Sequence, residues 1–389
     1  MGHDRVARRK VVYISGTRAD YGLMRSTLKT IQATRNLDLA IVATGMHLSP
    51  EFGSTIHEIE RDGFMVATKV PSLRPEDTGA GMLRSFSRFL TNLIDILEDV
   101  RPAILLLLGD RWEMLAGAMA GAYMNILVAH VHGGEISGSV DEPNRQAITR
   151  FSHIHLVPNR EHARVLKKIG EQTSRIHVVG APGLDDIVSH NYLDPSVVAK
   201  KYKVDRTQPL VLFVQHPVVT EWRSAGKQME KTLAAIVDLG LQTIAIYPNA
   251  DAGGRIMIEV MKRQAQRYPF IHLYRNIPRD EYLGIMAIAN VIVGNSSSGI
   301  IEAASFHLPT VDIGSRQSGR ILPANVLRAD YNEREITSAV RTAISGEFRK
   351  KIGKLTNPYG DGRAAQRIGK ILSKVQPTAQ LLQKRLEVT

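Results

Sequence analysis

The 389-residue sequence contains no cysteine. That removes disulfides, thiolate zinc sites and cysteine nucleophiles together. Long apolar runs are also missing: the longest, Ala103–Leu108, falls far short of the ~20 residues a membrane-spanning helix needs. Met1–Lys10 is basic and polar, without the apolar stretch that precedes a signal-peptide cleavage site. There is no low-complexity segment and no convincing internal repeat. What remains is 43% hydrophobic and 23% charged, an ordinary globular composition that excludes a disordered, collagenous or coiled-coil chain. At roughly 150 residues per domain, the length predicts two or three domains. A cytoplasmic enzyme or binding protein is the expectation.

Basic residues exceed acidic ones by 50 to 38, a formal charge of +12. Such a surplus suits nucleic acid or an anionic metabolite. The basic residues are dispersed, from Arg5–Lys10 through Lys167-Lys168 and Lys200-Lys201 to Arg349–Lys354 and Lys384-Arg385. No aromatic-interleaved basic stripe or helix-turn-helix pattern accompanies them. Solubilising surface charge plus a phosphate-binding cleft, with no nucleic acid and no membrane partner, is the reading this placement supports.

Short β-rich apolar runs alternate with amphipathic helical stretches almost throughout. Predicted strands are Lys10–Ile14, Leu37–Val42, Ala103–Leu108, Ile126–His130, Ile154–Val157 and Ile176–Val179. Later ones are Leu210–Gln215, Thr243–Tyr247, Ile271–Tyr274, Val291–Val293 and Pro309–Asp312. Between them, Tyr21–Thr34, Met82–Val100, Met114–Tyr123 and Ser224–Leu239 carry helical spacing. Continuous apolar strands separated by helices predict an α/β fold of parallel sheets covered on both faces. The alternation weakens over Leu184–Pro209, which reads as a junction. The expected domains are therefore residues 1–186, residues 187–360, and a terminal helix in 361–389 that packs back on the first.

Ligands bind beyond the carboxyl ends of strands in such sheets, and the unusual residues fall there. The loops are SGTRADYG (15–22), GDRWE (109–113) and HVHGGEISGSVDEPNR (130–145) in the first half. In the second they are QHP (215–217), YPNADAGG (247–254), GNSSSG (294–299) and DIGSRQSGR (312–320). Two such sets predict a cleft between domains. GNSSSG followed by the helical run Ile300–Ser305 suits an anion at a helix N-terminus, with Ser296 and Ser297 as donors, although an ordinary cap would also use a serine. Glu302 could accept ribose hydroxyls or simply favour the helix dipole. Arg18 offers a fork to a phosphate or base, and the loop around it ends in neither GxGxxG nor GKS/T. Arg316 and Arg320 could clamp a diphosphate or pair with surface acids.

Asp110 ends a dry strand, so it is either functional or a structural partner of Arg111. Glu135, Asp141 and Glu142 precede a helix predicted at Asn144–Arg150, as proton-transfer groups or as capping acids. His130 and His132 share a strand face and His216 ends another strand. Their spacing matches no zinc pattern, and acid–base work or phosphate binding fits better.

The segments GTRADYGL, TGMHLSPEFG, GDRWE, HVHGGEISGSVDE, QHP, PNADAGG, GNSSSGIIEA, IGSRQSGR and NPYGDG run in order from Gly16 to Gly362. On them the chain resembles the hydrolysing UDP-N-acetylglucosamine 2-epimerases of sialic acid and related nonulosonic acid biosynthesis. The resemblance implies two Rossmann-like domains facing a central cleft, in the arrangement of nucleotide-sugar glycosyltransferases, with no cofactor and no metal. It implies C2 proton removal, loss of UDP to a 2-acetamidoglucal, and hydration to the free, C2-inverted sugar. Position by position it assigns proton transfer to Asp110 and Asp141, with Glu142 and His132 as further candidates. His132 stands where animal and non-hydrolysing bacterial members carry glutamate. Nucleotide or phosphate contacts fall on Arg18, Arg111, His216, Asn249, Ser296, Ser297, Glu302 and Arg316. A homodimer or homotetramer is the family expectation.

The expected reaction is UDP-N-acetylglucosamine plus water to N-acetylmannosamine plus UDP. The nearest alternative is the same chemistry on a UDP- or GDP-linked 2,4-diacetamido-2,4,6-trideoxyhexose, of the legionaminic acid branch. The segments Pro71–Ala80 and Glu135–Asp141 are expected to face C4 and C6 of the sugar and to decide between them. A non-hydrolysing epimerase, a glycosyltransferase of the same architecture, a non-catalytic UDP-sugar sensor and, from charge alone, a nucleic-acid binder are the further alternatives.

Overall fold

The structure, a computed structural model, describes residues 8–387. Residues 1–7, with Arg5 of the basic stretch Arg5–Lys10, and residues 388–389 lie outside the described residues. Among the described residues, thirteen strands form two parallel sheets. The first holds β1 (Arg9–Ser15), β2 (Leu37–Thr44), β3 (Val66–Val70), β4 (Ile104–Leu108), β5 (Leu127–Val131), β6 (Ile154–Val157) and β7 (Ile176–Val178), in the order β3-β2-β1-β4-β5-β6-β7. The second holds β8 (Leu210–Val214), β9 (Gln242–Ile246), β10 (Ile271–Tyr274), β11 (Val291–Gly294), β12 (Thr310–Ile313) and β13 (Val326–Ala329), in the order β10-β9-β8-β11-β12-β13. Each sheet reverses direction once, between β1 and β4 and between β8 and β11. These switch points are where an open parallel sheet leaves a crevice at its strand ends.

Every strand of the sheet centres is buried on both faces. β4, with sequence ILLLL, lies wholly in the core because helices cover it above and below. The helix Gly79–Val100 packs Phe89, Leu93 and Leu97 on one face of the first sheet, with Val12 and Leu105. The helix Arg18–Ala33 packs Met24, Leu28 and Ile31 on the other, with Val11 and Leu106. Each such side chain contributes roughly 1.5–3 kcal/mol by leaving water.

The two unpredicted strands, β3 and β13, are edge strands, each half exposed and carrying a cationic side chain (Lys69 and Arg328). That charge interrupts the apolar run in each, whereas the edge strands β7 and β10, no better buried, keep theirs. The junction Leu184–Pro209 is not bare linker. It contains the helices Asp185–Val188 and Pro195–Lys201, and Leu184, Ile187, Val198 and Tyr202 join the second sheet's core.

The helix Ala364–Lys374, followed only by the short helix Ala379–Leu382 among the described residues, sets Ile368 and Leu372 into the first sheet's core. The buried Asp185 carboxylate accepts from the N–H groups of Ala364 at 2.9 Å and Ala365 at 2.7 Å. It thus caps that helix from across the junction. Among the described residues no helix is long and apolar enough to cross a membrane.

Candidate active site

One cleft is lined by strand-end loops of both sheets. On the first sheet, β1 ends in a capping box. The Asp20 carboxylate accepts from Thr17 N–H at 2.7 Å and Gly16 N–H at 3.1 Å, and the Thr17 hydroxyl accepts from Asp20 N–H. This turn aims Arg18 across the cleft, where its guanidinium donates to the Ile277 carbonyl and lies 5.8 Å from the Tyr282 ring centroid. Gly16 is required by contact: a Cβ there would sit 2.5 Å from Oε1 of the buried Glu113. Glu113 in turn holds Arg111 through two bonds of 3.0 and 3.1 Å, and Arg111 also reaches Asp251 of the second domain at 3.4 Å. Arg111 is therefore not the partner of Asp110, contrary to one sequence expectation, because it turns along its own loop instead.

The partner of Asp110 is Arg145, a fully buried residue of the helix Asp141–Phe151. Arg145 also donates to the His132 carbonyl at 2.9 Å, so one guanidinium ties the ends of β4 and β5 together. That helix begins three residues earlier than the predicted Asn144 start, since Pro143 falls in its first turn, where the missing N–H costs nothing. The earlier start puts Asp141 and Arg145 one turn apart on one face, both lining the cleft. Burial, and then the negative charge of Asp110, push the Asp141 carboxyl up to about 6, with Arg316 at 3.4 Å opposing the shift. An acid so placed changes protonation near neutral pH and can both take and return a proton.

His132 holds a left-handed backbone conformation, φ 66°, which is uncommon for a non-glycine residue. Its Nδ1 meets the Glu135 carboxylate, whose other oxygen meets Arg320 of the second domain. Burial alone would raise the Glu135 carboxyl, but the Arg320 charge and the contact with His132 outweigh it and hold the group well below its usual range. His130, by contrast, is buried away from the cleft lining, with Nε2 2.7 Å from the Gly109 carbonyl. Desolvation pushes its ring down to about 3, so it is a neutral packing group.

The second sheet supplies anion donors. The buried Asn295 brackets His216: its Oδ1 accepts His216 N–H at 2.7 Å and its Nδ2 donates to the His216 carbonyl at 2.9 Å. His216 Nδ1 accepts Asn249 N–H at 3.1 Å. Burial and the nearby Arg316, Arg111 and Arg18 hold His216 well below its usual range, so the ring is neutral and carries its proton on Nε2. Arg316 is braced by the Asn295 carbonyl at 3.1 Å. Ser296 and Ser297 line the cleft beside these groups. Gly294 makes this turn, with φ 132°, and a Cβ there would lie 2.1 Å from the Val214 carbonyl oxygen.

The cleft thus brings together Arg18, Asp110, Arg111, His132, Asp141, His216, Asn249, Ser296, Ser297 and Arg316. Two expected residues are placed elsewhere. Glu142 does not line the cleft; it accepts from Ser137 N–H at 2.9 Å and Gln146 Nε2 at 2.8 Å, so it shapes the loop as a capping acid. Glu302 is buried against Arg279 behind the cleft lining. The predicted helix at Ile300–Ser305 is also interrupted. A short helical turn, Ser298–Ile301, gives way at Glu302 to a 3-10 turn, Ala303–Phe306, so hydroxyl and turn N–H groups replace a long helix dipole. Arg320 serves Glu135 rather than a diphosphate clamp with Arg316. In Pro71–Ala80 no residue lines the cleft. Asp77 instead accepts from Gly253 N–H at 2.9 Å and Arg255 N–H at 3.1 Å on the second domain. Arg145, Glu113, Asp251 and Asn295 escaped sequence reading. Only Arg145 had a signal, its four-residue spacing from Asp141.

Against known proteins, a family model described as UDP-N-acetylglucosamine 2-epimerase matches residues 29–373. A Legionella pneumophila protein named UDP-N,N'-diacetylbacillosamine 2-epimerase (hydrolyzing) is 38% identical over 376 residues, covering 97% of this chain and 98% of the relative. A Neisseria meningitidis protein named UDP-N-acetylglucosamine 2-epimerase is 33% identical over 343 residues, covering 87% and 89%. The crystal structure of UDP-GlcNAc 2-epimerase from Neisseria meningitidis bound to UDP-GlcNAc superposes with a TM-score of 0.80 at 17% identity, covering 94% of this chain and all of that one. The last likeness shows the fold, two Rossmann-like domains in the glycosyltransferase-like arrangement.

Proposed function

The chain belongs to the UDP-N-acetylglucosamine 2-epimerase family, and on that premise we propose that it hydrolyses a UDP-linked 2,4-diacetamido-2,4,6-trideoxyhexose with inversion at C2. The observation that carries the chemistry is the division of the cleft. The first domain presents Asp110, His132 and Asp141, and the second presents His216, Ser296, Ser297 and Arg316 as donors. A diphosphate on the second side leaves the sugar facing the acids. A base on the first domain takes the C2 proton, the C–H electron pair forms the C1–C2 double bond, and the C1–oxygen bond breaks to release UDP. His216 Nε2–H and Arg316 stabilise the charge that builds on the departing diphosphate. Water then adds its hydroxyl at C1, and an acid of the first domain returns a proton to C2 from the opposite face. Asp141, with its carboxyl near 6, suits that return.

The diacetamido sugar is preferred over UDP-N-acetylglucosamine because the Legionella relative is more similar, at 38% against 33% for the Neisseria one. UDP-N-acetylglucosamine is the second reading, and the Neisseria relative supports it. With Pro71–Ala80 outside the cleft lining, discrimination at C4 falls to the Glu135–Asp141 segment. Proton NMR in heavy water with each UDP-sugar tests this reading. The expected result is UDP plus a free 2,4-diacetamido sugar deuterated at C2, formed faster than N-acetylmannosamine from UDP-N-acetylglucosamine. Faster release of N-acetylmannosamine selects the second reading. A product still linked to UDP, or no turnover of either sugar, overturns hydrolysis.

A further inference from the structure

Glu135 is a buried acid of the cleft lining that no step above uses. It is 1% exposed and divides its two oxygens between the domains, Oε1 to His132 Nδ1 and Oε2 to Arg320 Nη1. A carboxylate committed to a guanidinium on one side accepts, on the other, only from an N–H. The His132 nitrogen facing it is therefore the protonated one, and Nε2 has no protein partner among the described residues. The backbone is fitted to this arrangement. His132 sits at φ 66°, Arg145 grips its carbonyl at 2.9 Å, and Gly134 turns at φ 77° where a Cβ would strike the His162 carbonyl oxygen at 2.5 Å.

We propose that Glu135 and Arg320 form an inter-domain positioning pair that holds His132 as the Nδ1–H tautomer with its Nε2 lone pair facing the cleft, so that domain closure completes a base. Glu135 touches no reacting atom. It orients His132, and Arg320 keeps Glu135 ionised and in place. When Nε2 takes the substrate's C2 proton, the imidazolium that forms is stabilised by the Glu135 carboxylate through the same Nδ1–H bond. The electron pair passes to the C1–C2 bond as UDP leaves. Because Arg320 comes from the second domain, the base is complete only while the domains are together, which withholds proton abstraction until the nucleotide sugar is enclosed. This role rests on the epimerase reading proposed above.

The test uses the full chain with its histidine rings labelled with nitrogen-15. Long-range nitrogen–proton NMR at pH 8 is expected to show His132 as the Nδ1–H tautomer in the native protein and a loss of that preference in Glu135→Gln and Arg320→Gln. Glu135→Gln is expected to lower kcat on the order of 100-fold, with KM and UDP affinity little changed. Glu135→Asp should recover part of the loss. If His132 in the native protein is the Nε2–H tautomer, or is protonated on both nitrogens, the proposal is overturned whatever the activity. A Glu135→Gln protein with native kcat overturns it too. Should Glu135→Gln fail to fold, Arg320→Gln supplies the same two readouts. A protein with the expected tautomer but no turnover of any UDP-sugar would support the positioning and refute the epimerase reading.

Discussion

At the scale of single residues, the cleft holds an acid at an energetic cost, and that cost can be measured. Asp141 has a carboxyl raised from 3.8 to about 6 by burial and by the charge of Asp110. The folded state therefore binds its proton more tightly than the unfolded chain does. The resulting stability is fully present below pH ~4 and is lost as pH rises through about 6, at most roughly 3 kcal/mol for a two-unit shift. Asp141→Asn removes that loss, so its Tm at pH 8 should exceed the native protein's, while at pH 4 the two should agree. The same substitution should lower kcat by 10²–10⁴-fold, roughly the contribution of a general acid or base, with UDP binding by calorimetry nearly intact. Unchanged kcat would remove Asp141 from the reaction. Asp110 and Asp141 were legible because each is an acid at the exit of a dry strand or at the mouth of a helix. Arg145, which ties Asp110 to His132, was not, because its place depends on a helix start that Pro143 disguises.

At the scale of elements, legibility followed the apolar run rather than burial. The edge strands β7 and β10, no better buried than β3 and β13, are marked by Ile, Val, Leu and Tyr, whereas Lys69 and Arg328 interrupt β3 and β13. Turn geometry was legible only as a glycine count, and the structure shows which glycines the fold depends on. Gly294, at the end of β11, has φ 132° and no room for a Cβ, which would meet the Val214 carbonyl oxygen at 2.1 Å. Gly63 also has positive φ, 79°, but nothing lies within 4 Å of its added Cβ. Gly63→Ala should therefore cost only backbone strain, about 1 kcal/mol. Gly294→Ala adds a backbone clash that forces β8 and β11 apart, and should cost at least about 3 kcal/mol. Urea unfolding distinguishes the two, and similar midpoints would show that the β11 turn relaxes more easily than its packing implies. Because that turn carries Ser296 and Ser297, the Gly294 variant should also lose UDP affinity even where it remains folded.

At the scale of the whole molecule, the domains are joined across the cleft by contacts of unequal weight, and physical arguments rank them. Arg255 pairs with Glu51 at 2.9 Å, but Glu51 is 41% exposed, so solvent and salt screen the bond and its contribution is roughly 0–1 kcal/mol. Asp77 acts differently. Its carboxylate crosses from the first domain to accept N–H groups of Gly253, Arg255 and Ile256, at 2.9, 3.1 and 3.3 Å. These lie at the N-terminus of the helix Gly254–Arg267, whose own cap, Gly253, offers no side chain. An N-cap of this kind contributes about 0.5–2 kcal/mol, and here it exists only while the domains are together. It therefore biases the closed form by that amount, about 2- to 30-fold in the closing equilibrium. The sequence reading placed Pro71–Ala80 at the sugar, but a cap supplied from another domain leaves no mark in local spacing. Asp77→Ala should raise the KM for UDP-sugar within that range and enlarge the radius of gyration of the unliganded protein in small-angle scattering. Glu51→Ala should change neither by more than about twofold. If the two variants behave alike, closure is held by the cleft-lining pairs, Arg316 with Asp141 and Arg320 with Glu135, and the rim merely follows them.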